Sequence, residues 1–134
     1  MATQVASINR ESYGSGDGSI IVVQWAPMAG GDVGAWVQLP EWADGRSVHI
    51  YGTFGTTPSV QIEGSNEPGF PPAPANAAIL NDFNGNSMVY TSGATVLRAL
   101  PPGGPLSVRP NCTAGTGTSL TVVLVARRLQ PQIR

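Results

Sequence analysis

A chain of 134 residues is long enough for one domain and too short for two ordinary ones. Only 11% of the residues are charged and the formal net charge is −1, so the overall balance offers no pull on nucleic acid or anionic lipid. The single cysteine, Cys112, excludes an internal disulfide, and no apolar run approaches the ~20 residues of a membrane helix.

A chain of this size buries roughly two-thirds of the surface that its unfolded form exposes, enough to fold without a disulfide or a metal. Every basic side chain is an arginine. Guanidinium forks lose less on desolvation than ammonium groups, which suits these charges to interfaces. The N-terminus lacks the basic segment and apolar run of a signal peptide, so a soluble chain made in a cytoplasm is expected.

Residues 1–18 are polar and end in Gly14-Ser15-Gly16-Asp17-Gly18, which predicts a flexible N-terminal arm. The domain proper is expected over 19–128. Its first strand, 20–26, is β-branched and apolar on both faces, and Pro27, Gly30 and Gly31 stop it. A strand over 35–39 follows, closed by Pro40. From 47 to 54 the chain alternates, with Val48, Ile50 and Phe54 on one face and His49, Tyr51 and Thr53 on the other. Residues 59–63 alternate as well, with Val60 and Ile62 inward.

Residues 64–74 are rich in Gly, Pro, Asn and Ser and predict a long exposed loop stiffened by proline, with Phe70 near its middle. An apolar piece at 77–80, with one helical turn possible over 73–80, leads to a turn at 81–86. Strands are expected at 87–91, 95–100 and 106–109, with 111–118 a Gly/Thr loop. The last strand, 119–127, carries Leu120, Val122 and Leu124 on one face, and residues 129–134 read as a short flexible tail. Many short strands, 17 glycines, 12 prolines and no sustained helical period predict an all-β domain, an antiparallel β-sandwich or jelly roll.

The chemical inventory is thin. His49 is the only histidine, and no G-x-S-x-G elbow supplies a nucleophile for it; a half-exposed strand residue is the expectation. Nothing local favours a dyad of His49 with Cys112, which is expected to be a buried small residue. Asp82, Asn84 and Asn86 alternate as a calcium loop begins. Ser87 then stands where the loop glycine is needed, and Gly93 where the bidentate glutamate is needed, so a turn closed by Asx side chains is expected instead. No catalytic residue, cofactor or metal is therefore expected. Of the three tryptophans, Trp25 fits a core strand, while Trp36 and Trp42 are candidates for a partner contact. Phe70, Arg127 and Arg128 complete the candidate interface.

Two stretches carry a resemblance. One is Gly52-Thr53-Phe54-Gly55 followed by Ser59-Val60-Gln61-Ile62-Glu63-Gly64-Ser65-Asn66. The other is Val108-Arg109-Pro110 followed by Gly115-Thr116-Gly117-Thr118-Ser119-Leu120-Thr121-Val122. Together they cover about half the chain and are similar to the small β-rich proteins that decorate or cement the heads of tailed bacteriophages. The resemblance implies a non-enzymatic virion protein on the capsid exterior, a dimer or trimer bound to the major capsid protein, with no nucleic acid or membrane partner. A carbohydrate-binding or tail and baseplate adhesion module, stacking sugars on Trp36 and Trp42, is the alternative. A hydrolase using His49 is the third.

Overall fold

The structure is a computed structural model that describes residues 3–4, 7–11 and 20–128. Its strands run β1 (Thr3–Gln4), β2 (Ser7–Glu11), β3 (Ile20–Met28), β4 (Val33–Gly34), β5 (Val37–Gln38), β6 (Gly45–Thr53) and β7 (Thr56–Ser65). A single 3-10 turn over Pro74–Asn76 follows. The chain then continues through β8 (Ala78–Ile79), β9 (Val89–Tyr90), β10 (Val96–Ala99), β11 (Ser107–Thr116) and β12 (Ser119–Arg127).

These strands form a β-sandwich, as the composition predicts. One sheet has the order β10-β6-β12-β3-β2 and is antiparallel throughout. The other has the order β1-β4-β11-β7-β8, with β5 also on β11 and β9 on β7; it is antiparallel except where β1 meets β4. Period-two alternation supplies the core. Val48 and Ile50 of β6, with Leu120, Val122, Leu124 and Ala126 of β12, face inward from one sheet. They meet Val60 and Ile62 of β7 and Val108 and Cys112 of β11 from the other.

Two strands organise the rest. Residues 45–65 and 107–127 lie antiparallel along nearly their whole length. They pair first as β6 with β12 and then, after both bend across the sandwich, as β7 with β11. At the bend the Thr118 hydroxyl, itself buried, donates to the Phe54 carbonyl at 2.7 Å. Gly55 and Gly115 sit there at φ +73° and +146°. A Cβ on Gly55 would lie 2.2 Å from the Thr116 carbonyl oxygen, and one on Gly115 would lie 2.2 Å from Thr118 Oγ1. Bulges in β11 and β7 bend the strands in the same place, and Pro58, which has no ladder donor to offer, falls in the β7 bulge.

Several boundaries differ from the sequence reading. Residues 7–11 pair with β3 and residues 3–4 with β4, so this part of the expected arm belongs to the two sheets; the rest of it, including 14–18, and the tail at 129–134 lie outside the described residues. The backbone supplies the pairing there, which composition does not register. Pro27 does not stop β3. The register against β12 slips by one residue between Trp25 and Met28, and this bulge accommodates the proline and buries Met28. The Gly/Thr run predicted as a loop over 111–118 is, as far as Thr116, the second half of β11, because β7 lies beside it and pairs with Asn111, Cys112, Ala114 and Thr116.

The bend and an orphaned hydroxyl make opposite predictions. Gly55→Ala should cost about 3 kcal/mol or more, from a left-handed backbone and a clash with backbone. Thr118→Val should cost about 1–2 kcal/mol through the stranded Phe54 carbonyl. The Tyr90 hydroxyl is buried without a hydrogen-bond partner among the described residues, so Tyr90→Phe should be neutral or stabilising by up to about 1 kcal/mol. Urea unfolding of the three variants checks the signs.

Candidate functional site

Pro110 shapes the edge of the second sheet. It has no N–H to give, and the neighbouring chain pairs with β11 only on either side of it, at Val33↔Asn111 and at Val37↔Val108. Residues 35–36 therefore bow away from the sheet over Arg109. The bow is tied from beneath, where the indole N–H of Trp25 in the core donates to the Ala35 carbonyl at 2.9 Å. Trp36 ends over the Arg109 guanidinium, 4.6 Å from its ring centroid.

Arg109 is fixed from the other side as well. Its Nε donates to Glu63 Oε1 at 2.8 Å, across the β7–β11 pair in which the two residues are direct neighbours. Glu63 Oε2 accepts from the side-chain amides of Asn111 at 3.0 Å and Gln61 at 2.5 Å. Both members of the ion pair are largely buried. Burial opposes ionisation of Glu63. The hydrogen bonds from Asn111, Gln61 and Arg109, together with the charge on Arg109, outweigh it and hold the carboxyl below the ordinary glutamate value. Among the described residues the guanidinium makes no further hydrogen bond, so its Nη donors remain for a ligand.

The opposite wall is the proline loop. The Glu67 carboxylate accepts from the Ala73 backbone N–H at 3.2 Å and from the Asn76 side-chain amide, closing residues 67–76 on themselves. The Leu106 N–H donates to Asn66 Oδ1 at 2.9 Å and ties the base of the loop to the strand beside it. Pro72 is buried and Phe70 is 53% exposed. Between the walls lies a cleft of about 420 Å³. Val33, Gly34, Ala35 and Trp36 line one side, Phe70, Pro71, Pro72 and Pro74 the other, and Thr3 and Arg109 supply its polar groups.

The five predicted interface residues thus separate. Trp36 and Phe70 converge on this cleft. Trp42 is half-buried against the core, with Arg128 over its ring at 4.9 Å. Arg127 is exposed at the rim of another depression, beside Phe83. Arg109 and Glu63 were not singled out from the sequence. The available signal was opposite charges on strands that the apolar alternation would pair, but pairing register is not written in a single chain.

The groups weighed for chemistry do not converge. His49 lies against Tyr51 on the outer side of the first sheet, ring centroids 4.7 Å apart. Cys112 is buried in the second sheet, where burial and then the charge of Asp32 push its thiol pKa up against a hydrogen bond to the Ala114 carbonyl. The Asp82 carboxylate serves its own turn, Oδ1 accepting from the backbone N–H groups of Asn84 and Asn86 at 2.9 Å each. No group of three His, Cys, Asp or Glu side chains among the described residues could hold a metal ion.

No protein-family model matches the chain. No curated protein matches it either. Among solved structures, a cupin domain from Bordetella pertussis Tohama I aligns over 94% of both chains with a TM-score of 0.46 and 12% sequence identity.

The buried ion pair gives the site a pH signature. A depressed folded-state pKa at Glu63 stabilises the fold above the unfolded value of about 4.3, and that contribution is lost as pH falls through the folded value. Glu63→Gln should therefore cost about 1–3 kcal/mol near neutral pH. The gap from wild type should narrow below about pH 4. Denaturant unfolding at both pH values measures it, and a gap independent of pH would contradict the assignment.

Proposed function

We propose that this chain is a non-enzymatic structural component that holds a protein partner in the cleft between Trp36 and Phe70. The observation that carries the reading is the convergence of two aromatic side chains from distant parts of the sequence on a walled cleft whose arginine is already fixed in place. An extended segment with an apolar side chain fits between the aromatic and proline walls. A carbonyl or carboxylate on it would accept from the Nη donors of Arg109. Because both walls are braced, little side-chain freedom is lost on binding.

The partner we propose is the major capsid protein of a tailed phage, with this chain decorating the outside of the head as an oligomer. The support for that step is the resemblance carried by 52–66 and 108–122. The alternative of sugar stacking on Trp36 and Trp42 is weakened, since one face of each ring already carries a guanidinium.

Mass spectrometry of purified particles should find the chain at high copy number, and isolated protein should bind expanded capsids. Trp36→Ala combined with Phe70→Ala should weaken that binding by about a hundredfold, as removal of central aromatic contacts does. Absence from particles would sink the capsid reading. Full binding by the double variant would sink the cleft.

A further inference from the structure

A second surface, away from the cleft, is built around Phe83. This ring is 65% exposed, the most exposed of the large apolar side chains among the described residues. It does not stand on a loose loop. Its own N–H donates to the Ala99 carbonyl of β10 at 2.7 Å, and the turn that carries it is closed by the Asp82 N–H on the Asn86 carbonyl at 2.8 Å. The buried Asp82 carboxylate accepts from the backbone N–H groups of Asn84 and Asn86. Phe83 and Leu97, the latter 62% exposed, line one depression on hydrogen-bonded backbone, an exposed apolar pair that a partner would cover.

The depression beside the ring, about 450 Å³, defines what that partner is. Asn84 and Asn86 bring carboxamides to it, and Arg98 brings a guanidinium placed by Asp82 at 3.7 Å and by the Leu97 carbonyl at 3.1 Å. A protein contact wants an aromatic anchor surrounded by apolar cover that excludes water. On the side of this depression the ring is bordered instead by amide donors and acceptors, the Arg98 guanidinium and Leu97, while Leu100, Pro102 and Arg127 line a second depression on its other side. A ring-sized ligand with one C–H face and hydroxyls around its edge satisfies both halves of that arrangement. We infer that the Phe83 turn is a saccharide-binding site, taking one or two pyranose rings with a C–H face stacked on Phe83 and hydroxyls bonded by Asn84, Asn86 and Arg98. This site is separate from the cleft and does not depend on the capsid reading.

NMR titration of the full chain with cellobiose, maltose, lactose and N,N′-diacetylchitobiose tests it. At least one of these should shift the backbone amides of 83–86 and 97–99. Phe83→Ala, which removes an exposed side chain and leaves the backbone bonds of the turn intact, should weaken that ligand by about tenfold or more. Trp36→Ala should bind it unchanged. If no disaccharide of the panel shifts these amides, or if the shifts persist in Phe83→Ala, the inference is wrong. Equal loss in Trp36→Ala would transfer the binding to the cleft and overturn it as well.

Discussion

The hydroxyl of Thr118, buried and bonded to the carbonyl of Phe54, closes a corner at which two strands turn together from one sheet into the other. On one side of it lie β6 and β12, on the other β7 and β11; pairing lapses at residues 54–55 and 117–118 and resumes at Thr56↔Thr116, with bulges in β7 and β11 just beyond. Both halves of the core follow from that corner. Val48, Ile50, Leu120 and Leu124 reach the interior because the bend brings Val60, Ile62, Val108 and Cys112 over them. So does the cleft, since β7 and β11 leave the corner in the register that sets Glu63 opposite Arg109. A small sandwich gains in this way a pair of buried charges that would be costly if either stood alone.

The cleft and the Phe83 turn solve the same problem by different chemistry. Each holds an aromatic side chain at the surface on backbone that has no freedom to withdraw it. In the cleft, proline supplies the stiffness, together with the carboxylate of Glu67 and the indole of Trp25. At the turn, one buried aspartate does, by occupying the amides that would otherwise need water. The surroundings then separate the two. Apolar walls with one arginine suit an extended polypeptide, and an open rim of carboxamides suits a hydroxylated ring.

Much of the fold was legible in the sequence, for reasons particular residues make plain. Val48 to Phe54 and Leu120 to Leu124 alternate because one face of each strand is buried and the other is not. Asp82, Asn84 and Asn86 spelled an Asx turn because such side chains compete for nearby amides wherever the chain reverses. What failed was long-range. The Gly/Thr half of β11 has no apolar pattern of its own and is a strand only because β7 lies beside it. Pro27 looked like a stop, yet a bulge absorbs it. The stretches that suggested head decoration proteins, 52–66 and 108–122, are largely the two arms of the folded ribbon. Their glycines and threonines thus have a structural reason in the corner alone. Of the site, Trp36 and Phe70 could be chosen as exposed aromatics, but their convergence and the Glu63–Arg109 pair depend on register, which no local signal contains.

A reconstruction at side-chain resolution of phage heads mixed with this chain bears most directly on the proposal that it works by holding a partner in its cleft. The account predicts the sandwich on the outside of the head, with capsid density between Trp36 and Phe70 and in reach of Arg109. A sandwich bound to the lattice by another face, with that cleft open to solvent, would contradict it.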